Sequence, residues 1–344
     1  MTPLPAGNDR AMGECETLGG ARIPVLVLID AEPDGFFIRR TENGPWYGFE
    51  RAVEVMADLR AVLSRHTGQE AHFIWLLRAD QQIAETYGAP GWALAHYRRA
   101  WETLLAAQDE VGLHVHAFRW ETRAGNWIED YGNQEWVEHC VRAGVGAFTE
   151  HFGRPPAAFS MGMDWTNQET IRLASRLNVR YELSTVSWKE PQPFPPQNVY
   201  TGVAPDCSRI PLRPYHPAPD DFRCAAPDGA DGMWLIPQSS RMARIFPSWK
   251  RGLWDLVHLR PVAPRATRKF FLEDDPAQVQ PAIARALRGL ERPYLTLAIR
   301  TDQYRRPDLE AVVRRNLEGA LAHPDSRRFV FTRPDEALQV LGLG

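Results

Sequence analysis

The chain alternates between short, continuously apolar runs and longer segments in which apolar residues recur every three or four positions. The first two apolar runs cover residues 25–29 and 73–77, and both predict strands that are buried on their two faces. Between them, residues 49–63 carry an apolar stripe of helical period. The same pattern predicts further strands near residues 111–113, 157–159, 179–183, 209–212, 233–236, 294–299 and 329–331, and helices over about 91–108, 134–151, 166–176, 277–290 and 308–322, before a terminal helix. Thr166 is the expected N-cap of its helix, with Glu169 three residues later.

Repeated strand–helix alternation predicts an α/β fold with a parallel sheet, either an open doubly wound sheet or a barrel. A nucleotide-binding open sheet carries a glycine-rich loop after its first strand. This chain has Asp30, Glu32 and Asp34 there, which are carboxylates where such a loop offers backbone N–H groups. The pattern therefore disfavours a nucleotide-binding sheet.

We expect a single domain over residues 22–344, after a loose, polar and glycine-rich arm over residues 1–21. Residues 189–232 are rich in Pro and Asp and are too long for a simple connector. This stretch is therefore predicted to be an insertion that covers one side of the barrel mouth.

The charge and cysteine content exclude several classes of binding partner and site. Lys and Arg number 40 against 43 Asp and Glu, and a net charge of −3 excludes an electrostatic nucleic-acid binder. Four cysteines without a CxxC pair argue against a thiolate zinc site and a disulfide framework.

No apolar run reaches the ~20 residues of a membrane span and no signal pattern opens the chain, so a cytoplasmic protein is predicted. The 28 Pro and 12 Trp predict shaped loops and a pocket with flat apolar walls.

Polar side chains gather where the predicted strands end. They are Asp30, Glu32 and Asp34 after the first strand, Arg78 and Asp80 after the second, His114 and His116 at the third, Asp164 and Trp165 after the fourth, and Arg300 and Asp302 after the late strand. In a barrel these strand ends share one face, where active sites form. Oxygen and imidazole ligands together suit Zn²⁺ or a similar divalent ion, which polarises a carbonyl and activates a water. A spare carboxylate can then act as the base.

Each group also has a structural interpretation. The carboxylates after the first strand can form a solvated turn, and the two histidines can form a hydrogen-bonded pair that lines a cleft. Arg78 with Asp80, and Arg300 with Asp302, can be structural ion pairs. Asp164 can cap the helix that follows it.

The order and spacing of several phrases carry a resemblance to a known family. An apolar strand ends in Asp30 within residues 28–35, a second phrase covers residues 109–116, a third covers residues 152–159, and a C-terminal phrase covers residues 323–338. Together they resemble the polysaccharide deacetylase superfamily (NodB-like, carbohydrate esterase family 4), in its divergent His-x-His branch. The resemblance covers roughly residues 23–341.

This resemblance implies a distorted (β/α)7 barrel, a divalent metal held by one carboxylate and two histidines, and removal of acetyl groups from amino sugars. It makes Asp30 the catalytic base and His114 the first metal histidine, with Glu32 or Asp34 as the metal carboxylate. A zinc ion is the expected cofactor.

The chain departs from the family pattern at three positions. The second histidine of the family lies four residues after the first, where this chain has Phe118, so that His116 is the available substitute. Ser160 stands where the third motif supplies an arginine, and Arg300 stands at about the position of a catalytic histidine. Arg300 could stabilise an oxyanion but cannot donate a proton, because its pKa is too high.

We therefore predict a metal-dependent hydrolase that deacetylates an N-acetylated sugar or glycan precursor in surface-polysaccharide biosynthesis. The expected partner is a carbohydrate or small molecule, with no nucleic acid and no membrane span. The expected substrate-binding residues are Arg78, Asp80, Trp120, Asp164, Trp165 and Asp302. Two alternatives stay open: a catalytically silent carbohydrate-binding barrel, and a hydrolase of another non-peptide C–N bond.

Overall fold

A curled parallel β-sheet with helices packed against it frames the protein. The computed structural model describes residues 20–35, 44–187, 189–193, 200–243, 266–288, 290–305 and 308–344. The predicted N-terminal arm therefore lies outside the described residues up to residue 19, as does part of the predicted insertion, residues 194–199.

The described strands include every predicted one except that at residues 209–212, together with further short strands. They are β1 (Ile23–Ala31), β2 (Ile74–Arg78), β3 (Glu110–Val115), β4 (Phe118–Glu121), β5 (Asn126–Asp130), β6 (Ala158–Met161), β7 (Tyr181–Glu182), β8 (Gln192–Pro193), β9 (Tyr200–Thr201), β10 (Val203–Ala204), β11 (Trp234–Leu235), β12 (Ser240–Ala243), β13 (Ala266–Lys269), β14 (Leu295–Arg300) and β15 (Phe329–Phe331). The main sheet has the order β11-β7-β6-β3-β2-β1-β14, with β15 also paired to β1. All its pairings are parallel.

Helices connect the strands and cover the sheet. They are α1 (Tyr47–Thr67), α2 (Gln81–Tyr87), α3 (Trp92–His96), α4 (Arg98–Ala106), α5 (Gln134–Phe152), α6 (Gln168–Arg176), α7 (Pro276–Leu287), α8 (Leu309–Leu321) and α9 (Pro334–Val340). None of the helices in the described ranges is both long enough and apolar enough to cross a membrane.

The two faces of β1 have different roles, because successive side chains of a strand point to opposite sides. Val25, Val27 and Ile29 belong to the large core that the sheet shares with the helices. Leu26 and Leu28 belong to a second core, which fills the inside of the curled sheet. Asp30 and its alternate neighbour Glu32 continue the inner row at the carboxyl end of the strand. The continuous apolar run of β1 thus reflects burial on both faces, and its inner row ends in carboxylates.

The sheet curls into a barrel whose seam lies between β11 and β14. Within the described residues these two strands are not paired, but the chain after β11 bonds to β14 through side chains. The Ser239 amide donates to the Thr296 hydroxyl at 2.6 Å, and the Thr296 amide donates to the Ser239 hydroxyl at 3.0 Å. The segment after β13 also pairs with β14, through a bridge between Phe271 and Ala298. The predicted α/β barrel is therefore confirmed, with a distorted seam.

Several local predictions need correction. Residues 209–212 form no strand, and the segment contains only a turn and a bend. The helix expected over about 91–108 is broken at Tyr97 into α3 and α4. Asn167, not Thr166, caps α6, because its side-chain oxygen accepts from the Thr170 amide at 2.8 Å. The antiparallel pairs β4–β5 and β12–β13 were not expected, and both supply side chains to the site described below.

Candidate metal centre

The carboxyl ends of β1 and β3, which flank β2 in the sheet, bring three metal-ligating side chains together. Glu32 follows β1, while His114 lies in β3 and His116 directly after it. One ligand atom from each residue lies within 4.8 Å of the others, and all three residues are buried. The Nε2 atoms of the two histidines are 2.9 Å apart. Each Glu32 carboxylate oxygen is 3.6 Å from one of these nitrogens.

Burial determines the protonation of this cluster. It lowers the pKa of His114 to about 3, with the Asp30 carboxylate opposing the shift, and it lowers the pKa of His116 well below its usual value. Burial also raises the pKa of Glu32 to about 8, although the Arg78 guanidinium opposes this. Both imidazoles are therefore neutral at pH 7 and can use their nitrogen lone pairs as ligands, whereas Glu32 holds a proton that a bound cation would displace.

A carboxylate behind His116 holds its ring. His116 Nδ1 is hydrogen-bonded to Glu129 Oε1, and the Tyr131 hydroxyl donates to the same oxygen at 2.9 Å. When the shared proton lies on Nδ1, the Nε2 lone pair faces His114 and Glu32. Hydrogen bonds of this kind fix the tautomer and the orientation of metal-ligating histidines. Burial raises the pKa of Glu129 to about 8, although the hydrogen bond from Tyr131 and the Arg78 guanidinium oppose the shift.

These donors fit a divalent metal. Two neutral imidazole nitrogens that face each other at 2.9 Å need a proton or a cation between their lone pairs. A carboxylate beside two imidazoles is a donor set found in zinc sites. The Nδ1 atom of His114 is buried without a hydrogen-bond partner, and lies 3.9 Å from Asp30 Oδ1.

Arg78 and Asp80 lie beneath the cluster, where they are completely buried. The Arg78 guanidinium donates to Glu32 Oε2 at 3.2 Å and to Asp80 Oδ2 at 2.9 Å, and it also bonds to Gln82. Asp80 Oδ2 further accepts from the His116 amide at 3.0 Å. The ion pair that the sequence left as an alternative is thus present, and it holds two of the possible ligands.

Asp30 and Asp34 lie outside the group of three donors. The Asp30 carboxylate is buried beside His114. Asp34 Oδ1 accepts from the Gly48 amide at 2.9 Å, and its own amide donates to the Pro45 carbonyl, so Asp34 shapes the entry to α1. Of the two carboxylates offered as the metal ligand, the structure places Glu32 against the histidines.

Asp164 occupies a strained turn on the other side of Asp30. It has a φ of 52° and follows Met163 with a φ of 57°, a left-handed backbone that non-glycine residues rarely adopt. Lys269 Nζ lies 2.9 Å from Asp164 Oδ1, and Lys189 Nζ lies 3.5 Å from Oδ2. Burial alone would raise the pKa of Asp164, but the two ammonium groups outweigh it and lower that pKa to about 2. Backbone strain of this kind clusters at functional sites.

Arg300 reaches the same strand end through β14, in register with Asp30 of β1. Its Nε donates to Glu273 Oε1 at 3.0 Å, and its guanidinium lies over the Phe271 ring at 5.0 Å. Asp302 follows in the next turn, where its Oδ2 accepts from Gln303. Arg300 therefore pairs with Glu273 rather than making the Asp302 pair considered from the sequence.

The two tryptophans predicted to bind substrate, Trp120 and Trp165, pack against other aromatic rings. Trp120 is half-buried and packs edge-to-face with Trp127 at 5.3 Å between ring centroids. Trp165 is buried and stacks on Tyr131 at 4.9 Å. An open cavity of about 390 Å³ is lined in part by Trp165, Tyr131 and Phe222. Tyr131 links this cavity to Glu129 and hence to His116.

Sequence reasoning missed Glu129 and Lys269. Glu129 lies in β5 and Lys269 ends β13, and both strands belong to antiparallel pairs outside the strand–helix alternation. For Glu129 a signal was available, because Trp127, Glu129 and Tyr131 alternate like one face of a strand. Lys269 follows a basic segment that carries no such pattern.

Comparison with known proteins supports the fold. No protein-family model matches the chain, and no curated protein sequence matches it. Among solved structures, the PuuE allantoinase is 14% identical with a TM-score of 0.51, covering 97% of each chain. A protein of Mycobacterium smegmatis assigned as a polysaccharide deacetylase is 12% identical with a TM-score of 0.49, covering 97% of this chain and 95% of that one. The likeness to the allantoinase, together with the curled parallel sheet, shows that the chain has the distorted α/β barrel fold that its motifs predicted.

Proposed function

We propose that this chain, built on the NodB-like barrel, is a metal-dependent hydrolase of a non-peptide C–N bond. We further propose that its substrate is an N-acetylated sugar or glycan precursor, from which it removes the acetyl group. One observation carries the proposal: a buried carboxylate, Asp30, lies beside the Glu32, His114 and His116 donors without being one of them. Amide hydrolysis needs this separation between the groups that hold the metal and a free base.

Glu32, His114 and His116 would hold the metal. When bound there, a divalent ion polarises the scissile carbonyl and lowers the pKa of water. Arg78 keeps Glu32 in place through its 3.2 Å contact, and Glu129 orients the His116 ring. Arg78 and Glu129 thus position the metal-holding residues and take no part in the chemical step.

Asp30 would accept the proton of the attacking water and pass it to the departing nitrogen as the C–N bond breaks. Its position at the end of the inner row of β1 puts it at the barrel mouth, and its Oδ1 faces His114 at 3.9 Å. Arg300, whose guanidinium reaches the same edge from β14, is the candidate for stabilising charge that develops on the carbonyl oxygen. Trp165, Trp120, Asp164 and Asp302 are the candidates for substrate contacts.

A second candidate is the hydrolysis of another non-peptide C–N bond on the same site. The observation that favours it is the site's departure from the deacetylase pattern, with His116 as the second histidine and Ser160 in place of an arginine. The PuuE allantoinase shares the fold, although at 14% identity the likeness extends to the fold alone. Both candidates use the same donors and the same base, and they differ only in the acyl or ureido group that the pocket accepts.

The test is a substrate panel run on the metal-loaded full chain. N-acetylated monosaccharides, their nucleotide-linked forms and short chitin oligosaccharides are assayed for released acetate, and cyclic ureides and imides are assayed for ring opening. Release of acetate that requires metal supports the deacetylase, and ring opening alone supports the second candidate. A protein that binds metal and sugar but turns over neither class contradicts both candidates and leaves the silent binding barrel. A cytoplasmic location and a role in surface-polysaccharide synthesis stay predictions.

A further inference from the structure

A buried lysine lies between two carboxylates in the barrel mouth. Lys269 is 7% exposed, and its Nζ is 2.9 Å from Asp164 Oδ1 and 3.8 Å from Asp30 Oδ2. It is thus the cation next to the carboxylate proposed as the base. Burying an ammonium group is costly unless it is paired, so this placement depends on both carboxylates.

Backbone pairing next to Lys269 and an aromatic ring beside its ammonium group fix the position of this lysine. The lysine ends β13, and the next residues pair with β14 at the barrel seam. The Ala298 amide donates to the Phe270 carbonyl at 2.7 Å, and the Leu272 amide donates to the Ala298 carbonyl at 2.8 Å. The Phe271 ring lies 4.9 Å from Nζ. The segment that closes the barrel therefore carries the ammonium group to Asp30.

A second lysine shows which of the two contacts is distinctive. Lys189 Nζ also pairs with Asp164, at 3.5 Å, and donates to the Met163 carbonyl at 3.0 Å. Asp164 thus has a cation without Lys269. The two lysines therefore differ in their partners, because Lys269 also contacts Asp30.

We propose that Lys269 is a positioning residue for Asp30, which holds Oδ2 so that Oδ1 stays directed at the His114 side of the reacting centre. This inference rests on the proposed function, because it assigns a partner to the base of that reaction. Asp164 takes part as the second anchor of the ammonium group, and this gives its strained turn a role.

The kinetic test compares three variants of the metal-loaded full chain on whichever panel substrate is turned over. Lys269→Met should lower kcat by ~10- to 100-fold with KM changed less than ~3-fold, because a misdirected base affects the chemical step. Lys269→Arg should recover most of that loss by restoring a cation. Lys189→Met is the matched control, since it removes the other cation of Asp164, and it should change kcat less than ~3-fold. Metal content should be equal in all three. Equal losses in Lys269→Met and Lys189→Met, or no recovery in Lys269→Arg, would overturn the proposal.

A thermal test applies whether or not a substrate has been found. If Lys269 and Asp30 act as a pair, the fall in Tm for Lys269→Met with Asp30→Asn is smaller than the sum of the two single falls. The pair of Lys189→Met with Asp30→Asn should be additive, because those residues are not in contact. Additive shifts for the Lys269 pair would disprove the positioning contact. Coupled shifts in a protein that hydrolyses no panel substrate would keep the contact and reject the proposed function.

Discussion

The Nε2 atoms of His114 and His116 lie 2.9 Å apart in a buried site. Burial keeps both rings neutral, because it lowers the pKa of His114 to about 3 and holds that of His116 well below its usual value. Two neutral rings with converging nitrogens, and a carboxylate 3.6 Å from each, form a site that is completed by a cation. The predictions below separate the residues that would hold that cation from the residue that would act as the base.

Asp30→Asn should abolish turnover without removing the metal. The amide keeps the shape of the side chain but cannot accept a proton, so kcat should fall by ~100- to 10,000-fold. Metal content, measured by mass spectrometry of the purified protein, should equal that of the wild type. Loss of the metal in this variant would make Asp30 a ligand and refute its role as the base.

Glu129→Gln should weaken metal binding while leaving the three donors in place. The neutral amide is a poorer acceptor for the His116 Nδ1 proton, and such changes typically cost ~10- to 100-fold in metal affinity. Competition with a chromogenic chelator measures the dissociation constant. Tyr131→Phe is the milder comparison, because it removes only the 2.9 Å bond from the tyrosine hydroxyl to Glu129. An affinity unchanged in Glu129→Gln would argue that the contact does not orient the ring.

Gly162→Ala should displace the His116 ring. A Cβ atom at residue 162 would lie 2.2 Å from Cε1 of that ring, which is far inside contact distance. We expect weaker metal binding and a loss of about 1–3 kcal/mol in the free energy of unfolding. Gly146→Ala is the matched control on α5, where an added Cβ meets nothing within 4 Å, and it should be neutral or slightly stabilising. Equal behaviour of the two variants in urea unfolding and metal titration would contradict the close packing.

Glu110→Gln should remove part of the pH dependence of stability. Burial raises the pKa of Glu110 from 4.5 to about 7, with Arg154 opposing, so the folded state holds this proton more tightly than the unfolded state. The resulting stability is present below pH 4.5 and is lost as the pH rises through 7. One pKa unit corresponds to ~1.4 kcal/mol, and partial exposure reduces this figure. The free energy of unfolding of the variant should therefore rise by about 2 kcal/mol relative to that of the wild type between pH 5 and pH 8. Urea unfolding at both pH values measures the difference, and a constant offset would show that Glu110 titrates normally.

The strand order and part of the site were accessible from the sequence because parallel strands end at a common edge. The inner row of β1 ends in Asp30, and β3 ends in the two histidines, so pairing each strand with β2 brings these groups together. The sequence could not show whether Glu32 or Asp34 is the metal ligand. Both residues alternate with Asp30 and would share its face if the strand continued. A turn, closed by the hydrogen bond from the Asp34 amide to the Pro45 carbonyl, turns Asp34 away from the cluster.

The presence of Glu129 and Lys269 at the site could not be predicted from the sequence around them, for a different reason. Each reaches the site on a short antiparallel strand, and the position of such a strand depends on pairing with residues distant in the chain. Their side chains also contact the proposed ligands and base without belonging to them: Glu129 contacts His116, and Lys269 contacts Asp30 and Asp164. A motif that lists only donors and the base cannot contain them.

The most direct test of the central claim is the metal stoichiometry of the purified full chain and of two histidine variants. The wild type, after incubation with zinc and removal of excess, should retain about one divalent ion per chain. His114→Ala should lose it, whereas His139→Ala, which changes an exposed histidine of α5, should keep it. A wild type that retains no divalent ion, or an equal metal content in His114→Ala and the wild type, would contradict a metal centre at Glu32, His114 and His116.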